Sequence, residues 1–431
     1  MKKAWSLISL ILVFILALTG CSGQSADEAS GVASKKGNTL TVWAWNTNVP
    51  VLKQAEKIYA KDHKGFKLKI QEISNNDMYP KLTTSLQGGG QGLPDIVLIE
   101  DTHIQGYLHN FPKAFVNLSK KGFDKEGEKF PAYKRELASR DGNMYGMPFD
   151  GGPAGVFYRT DYFKKAGINP DSIETWDDFI AAGKTLKQKT GIHFLSLDMN
   201  SDDPVYRLML NQQGSFYFGE DNKPALASKE SQTAMKMLKK LKDDGVVNNV
   251  TGWDAWLSGV ASGKVATAVS GSWMAGLIEQ QAPNDKGKWG VFPLPAFEKG
   301  GNRAANIGGS AWTIPTASKN QDLAYDFLKF FSTTNKIQEI ATKGGLFPTL
   351  STVYTSPLFT EADDYFNNQK IWQIFANETK EIKAANYTGN YAIAKDEAVK
   401  AQSEILTSGK DIPTALKAAE KRLENRLSTK E

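Results

Sequence analysis

Apolar and polar positions alternate from Thr39 onward: Thr39-Leu40-Thr41-Val42-Trp43 has period two and β-branched residues, which predicts a strand. It ends at Trp45-Asn46-Thr47-Asn48-Val49-Pro50, and over 51–61 the apolar positions Val51, Leu52, Ala55, Ile58 and Tyr59 take the spacing of an amphipathic helix. Phe66, Leu68 and Ile70 alternate again as a second strand, and 77–87 reads as a helix stopped by Gly88-Gly89-Gly90. Pro94-Asp95-Ile96-Val97-Leu98-Ile99 then runs apolar without alternation, as a strand buried on both faces of a parallel sheet does. Strand and helix in turn predict an α/β fold.

The pattern restarts after Tyr145-Gly146-Met147-Pro148. Gly155 to Tyr158 reads as a strand, and Thr175-Trp176-Asp177-Asp178 is a capping box opening a helix through Phe179, Ala182 and Leu186. A second helix, 229–242, carries Ala234, Met237, Leu238 and Leu241 on one face, with Gly245 as its C-terminal stop. The segment 264–270 is a buried strand that breaks at Ser270-Gly271-Ser272 and at once presents Trp273. Further helices are predicted over 321–332 and 394–427, the latter interrupted near Gly409 to Pro413.

The N-terminus follows a different rule. Lys2 and Lys3 precede an almost purely apolar run from Leu7 to Leu18, shorter than the roughly 20 residues a permanent membrane span needs, so it reads as an export signal. Leu18-Thr19-Gly20-Cys21 closes it, and Cys21 is the only cysteine among 431 residues. The leader 1–21 therefore resembles a bacterial lipoprotein signal, with Cys21 as the lipidated residue. Residues 22–38 are small and polar and read as a flexible tether. With its one thiol used as an anchor, the chain has neither disulfides nor a cysteine metal site to stabilise it.

Composition is that of an ordinary globular protein, 41% hydrophobic and 23% charged, and the length suggests two domains. Net charge is +5; without Lys2 and Lys3, 50 basic residues face 47 acidic ones, leaving +3. That is too mild to argue for a nucleic-acid partner.

Several local patterns together resemble the family 1 extracellular solute-binding proteins, the receptors of carbohydrate ABC importers. They are LTVWAWN (40–46), LPDIVLIE (93–100), GNMYGMPFDGGPAGVFYRTDYFKKAG (142–167), TWDDFIAAGKTL (175–186), SGKVATAVSGSWMAG (262–276), GVFPLPAFEKGGNRAANIGGSAWTIPTASKN (290–320) and AYDFLKFFST (324–333), in that order behind the lipobox. The resemblance implies a two-lobe periplasmic-binding-protein-like fold of type II, with discontinuous lobes joined by a hinge: 39–148 plus 309–343 as lobe 1, and 149–305 plus 347–431 as lobe 2. The chain would cross near 147–152, 304–308 and 342–347, where glycines suit a backbone that rotates. It further implies a monomer on the extracytoplasmic face of the cell membrane, partnered by the permease of an ABC importer.

A sugar needs rigid aromatic platforms and planar polar side chains. Residues at predicted strand ends and loops supply both: Trp45 and Asn46 after the first strand, Asp101 after Ile99-Glu100, Asp150 at the first crossing, Trp253 in the loop before the 264–270 strand, Trp273 after it, Asn306, and Trp312 after Gly308-Gly309-Ser310. Glu100, His103, Trp256 and Arg303 are further candidates, whereas Trp43 and Trp176 read as core.

No catalytic or metal-ligating residue is nominated and no cofactor is expected. The run Asp198-Met199-Asn200-Ser201-Asp202 lacks the glycine and closing glutamate of a calcium loop. None of the four histidines lies in HExxH, Gly271-Ser272 is not a nucleophile elbow, and Gly88 to Gly90 lacks a P-loop lysine. Two other functions stay open: a secreted lipoprotein glycoside hydrolase, whose carboxylate pair can be far apart in sequence, and a receptor of the same fold for glycerol phosphate or a polyamine.

Overall fold

The computed structural model describes residues 37–45 and 48–429. The leader with Cys21, nearly all of the expected tether, and Asn46 lie outside the described residues.

The first half of the chain forms the alternation its pattern predicts. Strand β1 (Thr39–Ala44) buries Leu40, Val42 and Ala44, and pairs in parallel with β2 (Lys67–Glu72) on one side and β3 (Ile96–Glu100) on the other. β2 is the edge, and its exposed Lys67 and Lys69 suit an edge that must not recruit another strand. In β3 successive residues serve opposite faces: Ile96 and Leu98 pack with Leu52, Phe327 and Phe331, while Val97 and Ile99 pack with Trp43, Leu82 and Ile104. A short hairpin follows, β4 (Ser139–Arg140) to β5 (Asn143–Met144), turned at Asp141-Gly142 with positive φ at both, as a two-residue type I′ turn requires.

Strand β6 (Gly146–Arg159) is much longer than the expected 155–158. Gly151-Gly152-Pro153 reads as a break in the sequence, yet the backbone stays extended and the glycine serves close approach: a Cβ on Gly152 would collide with the Ile307 carbonyl. Beyond it come β7 (His193–Leu197), β8 (Val247–Asn249), β9 (Val265–Gly271), β10 (Trp289–Pro293), β11 (Asn306–Thr313) and β12 (Phe347–Pro348). The strand order is β2-β1-β3-β11-β6-β9-β7-β8, with β10 and β12 also on β6. The first half of β6 pairs with β11 and β12, its second half with β9 and β10, so β6 is common to both halves of the sheet. Here too the faces alternate, Val156 and Tyr158 entering a core with Phe179, Leu195 and Met209, Phe157 one with Ala268, Trp289 and Phe375.

Helices cover these faces. The capping box is present: Thr175 Oγ1 accepts from the Asp178 amide and the Asp178 carboxylate accepts from the Thr175 amide, opening helix Trp176–Thr190. Helix Lys229–Asp243 ends before Gly245 at positive φ, and the predicted 394–427 helix is two, Tyr391–Leu406 and Ile412–Ser428, parted at Gly409. Trp43 and Trp176 are core, as their positions suggest.

Candidate functional site

Parallel strands β7 and β9 end side by side, and three indoles gather at their carboxyl ends. After β9, Gly271-Ser272 lets Trp273 fold back onto the strand, because a Cβ on Gly271 would collide with the Trp273 ring. The ring is half-buried and its Nε1 donates to the Ile307 carbonyl at 3.2 Å. Trp253 opens helix Trp253–Ala261, where a loop was expected, and stacks on Trp256 one turn on, with centroids 5.3 Å apart and planes 26° apart. It meets Trp273 at 5.6 Å. Trp253 is 49% exposed, the one large hydrophobic among the described residues that stands open to solvent.

The base of this group is held by polar contacts. Trp256 Nε1 donates to the Ser196 carbonyl at 3.3 Å, at the end of β7. Asp198 accepts from the Gly252 amide at 2.8 Å, just before Trp253, and from the amides of Asn200 and Ser201 and the Ser201 hydroxyl. The acidic run at 198–202 is thus a turn that ties the start of the Trp253 helix to β7.

A second group lies under β11. Asp101, at the end of β3, is 1% exposed and takes two 2.6 Å hydrogen bonds from Lys134 Nζ, which also donates to the Ser310 carbonyl at 3.1 Å. Asp150 on β6 accepts from the Ser310 hydroxyl. Burial pushes both carboxyls up to about 6, Lys134 opposing it in each case. The Tyr133 hydroxyl, also buried there, has no hydrogen-bond partner among the described residues. Asn306 joins the two groups: its Oδ1 accepts from the Gly152 amide at 2.9 Å and its Nδ2 donates to the Gly308 carbonyl at 2.9 Å. Gly308 and Gly309, both at positive φ, complete the thread; a Cβ on Gly309 would sit 2.7 Å from the Asp101 carboxylate.

Residues 54–367 match the family model of the bacterial extracellular solute-binding proteins. The chain belongs to this family. It is 35% identical over 390 residues to a lactose-binding protein of Rhizobium radiobacter, covering 88% of this chain and 91% of that one. It is 30% identical over 409 residues to an arabinooligosaccharide-binding protein of Bacillus subtilis (strain 168), covering 91% of this chain and 92% of that one. Its fold is that of the two-lobe binding proteins: the sugar-binding protein MalE from Xanthomonas citri aligns at a TM-score of 0.77 and 19% identity, over 91% of this chain and 98% of that one. An ABC-transporter-associated binding protein of B. animalis subsp. lactis Bl-04, in complex with β-1,6-galactobiose, aligns at 0.75 and 23% identity, over 91% and 98%. The family is extracellular, which puts the functional location outside the cytoplasm.

The structure of this solute-binding protein brings some expected site residues together and separates others. Trp253 and Trp273 are neighbours, and Asn306 lies within the same thread of β11. Trp312 is corrected: it is 0% exposed and packed between Phe149 and Phe331 at 5.7 and 5.5 Å, because a central strand buries both faces and its indole points into the core. Asp101 and Asp150 are internally engaged as described, and Arg303 spends its guanidinium on the carbonyls of Leu294, Ile173 and Pro293. Trp45 is half-buried beyond β1, where its carbonyl accepts from Asn48.

Lys134 and Tyr133 were not anticipated, and nothing local marks them, since Lys134 lies 33 residues from its partner Asp101. Trp256 had a readable signal: once a helix starts at Trp253, i,i+3 spacing pairs the two rings.

Proposed function

We propose that the chain is a lipid-anchored receptor that binds a sugar, an oligosaccharide in particular, between two lobes and hands it to the permease of an ABC importer. The observation that carries this reading is the cluster of Trp253, Trp256 and Trp273 at the ends of β7 and β9, with Trp253 open to solvent. It stands in a chain whose 35% and 30% identical relatives are named for lactose and for arabinooligosaccharides. An indole face offers apolar area to a sugar's CH face, and several in a row suit more than one ring. The lobes are residues 39–148 with 309–343, and 149–305 with 347–431, linked through β6, the start of β11 and the segment before β12. Ligand works by binding the closed arrangement more tightly than the open one, which shifts the population; no bond is made or broken. Cys21 carries the lipid, and the receptor acts as a monomer.

Calorimetry against lactose, arabinooligosaccharides, other oligosaccharides, glycerol phosphate and a polyamine, with product analysis of each mixture, tests the ligand. Binding without turnover of a sugar is expected. Hydrolysis of any sugar turns the reading to a glycosidase, and tight binding of the polyamine or phosphate alone removes the carbohydrate. Palmitate labelling lost in Cys21→Ser tests the anchor.

A further inference from the structure

One contact joins separate hydrophobic clusters through an irregular segment. Helix Asp101–Asn110 sends Ile104, Tyr107 and Leu108 into the core of β1 and β3. Tyr387 and Tyr391 belong instead to the core of Val156 and Leu195, where Tyr387 meets Phe216 edge-on at 4.9 Å. Between them Gln105 Oε1 accepts from two consecutive amides, Tyr387 at 2.9 Å and Thr388 at 3.2 Å. One turn of the segment is thereby held by one side-chain carbonyl.

Three details mark this as a fitted contact. Gly106 faces Gly389 so closely that a Cβ on it would lie 3.3 Å from the Gly389 Cα. Thr388 is held at φ +55, a region that costs a β-branched residue energy and persists only where its surroundings impose it. His103, stacked on Tyr79 at 3.6 Å, meets Tyr391 edge-on at 6.3 Å. The two sides fall in the two lobes assigned above.

We propose that Gln105, Gly106 and the segment Tyr387–Tyr391 form the clasp that sets the balance between open and closed receptor. Gln105 is a positioning residue: it touches backbone, not the indole cluster, and acts on affinity through closure. Apparent affinity scales with the fraction of molecules that are closed, so weakening the clasp weakens every ligand by one common factor. This rests on the closing-receptor reading.

The test compares Gln105→Leu, Gln105→Glu and Gly106→Ala by calorimetry with each sugar the wild type binds. Gln105→Leu, which loses both acceptances, is expected to weaken all of them equally, by roughly tenfold. Gln105→Glu keeps an acceptor oxygen and is expected to stay within about twofold of wild type. Gly106→Ala favours the helix, so thermal stability without ligand holds or rises while affinity falls. Wild-type affinity in Gln105→Leu overturns the clasp, and so does a loss confined to one sugar, which marks a direct ligand contact. If wild type binds no sugar, the carbohydrate reading fails and the clasp is judged by small-angle scattering of the unliganded protein. A larger radius of gyration in Gln105→Leu than in wild type then supports it, and equal radii overturn it.

Discussion

Trp253 lies across Trp256 at 5.3 Å, so the most exposed indole of the described chain rests on a half-buried one whose own Nε1 is tied to β7. A platform results, supported by Trp256, met by Trp273 at 5.6 Å, and about half open to solvent. Trp253→Ala should lower sugar affinity roughly tenfold or more, on the order of 1–2 kcal/mol, and cost less than about 1 kcal/mol of stability. Trp312→Ala should do the reverse, destabilising by ~3–5 kcal/mol through a core cavity. Calorimetry and denaturant unfolding on both variants check the pair; equal effects of the two on affinity at full folding would sink the assignment.

Lys134 holds Asp101 in a site where neither side chain reaches solvent. A buried ion pair adds little net stability, but removing one partner strands the other charge. Lys134→Met should therefore cost about 3–5 kcal/mol. Adding Asp101→Asn should recover part of that loss, because the two positions share one interaction. Urea unfolding of the two single variants and the double measures the coupling, and additive losses would contradict it.

Glu378 is buried with no hydrogen-bond partner among the described residues on either carboxyl oxygen. Burial drives its pKa well above the ordinary 4.5, with Arg303 opposing. The folded carboxyl keeps its proton where the unfolded one has lost it, so its favourable contribution is full below 4.5 and is lost as pH rises toward the folded value. Asp101 and Asp150, raised from 3.8 to about 6, act in the same direction over that interval. Glu378→Gln should raise the melting temperature at pH 7 by ~2–4 °C and leave the decline between about pH 4 and 6 that Asp101 and Asp150 cause in place. Melting curves from acid to mildly alkaline pH decide it; a variant less stable than wild type at neutral pH would overturn the account.

Local rules read the first half of the fold well because its elements obey one periodicity each. Strands Thr39–Ala44 and Ile96–Glu100, and the Thr175 cap, depend on residues within a turn or a strand of one another. β6 is where this fails: Gly151 and Gly152 look like punctuation, but Gly152 makes room for the Ile307 carbonyl on β11, a neighbour far along the chain that only the fold supplies. The same limit applies at the site. Trp273 stands out from its Gly-Ser turn at the end of a strand, whereas no local pattern links Lys134 to Asp101. Trp312 is misread because the glycines before it, which let β11 lie close to β6, look like a loop in the sequence.

Gly271 decides where the Trp273 ring can lie. A Cβ at 271 would meet that ring and also stand 3.1 Å from the Ile307 carbonyl, the acceptor of Trp273 Nε1. Gly271→Ala should therefore turn the indole off Ile307 without removing it, altering its angle to Trp253. The expected result is a sugar affinity lowered about as much as in Trp273→Ala, roughly tenfold. Tryptophan fluorescence in the unliganded variant should shift, because one indole has lost its carbonyl acceptor. Trp273→Ala carrying Gly271→Ala as well should bind no worse than Trp273→Ala alone, as the alanine then has no ring to displace. Additive losses in that double variant, measured by titration with the same sugar, would mean that Gly271 acts on the site by some route other than the indole.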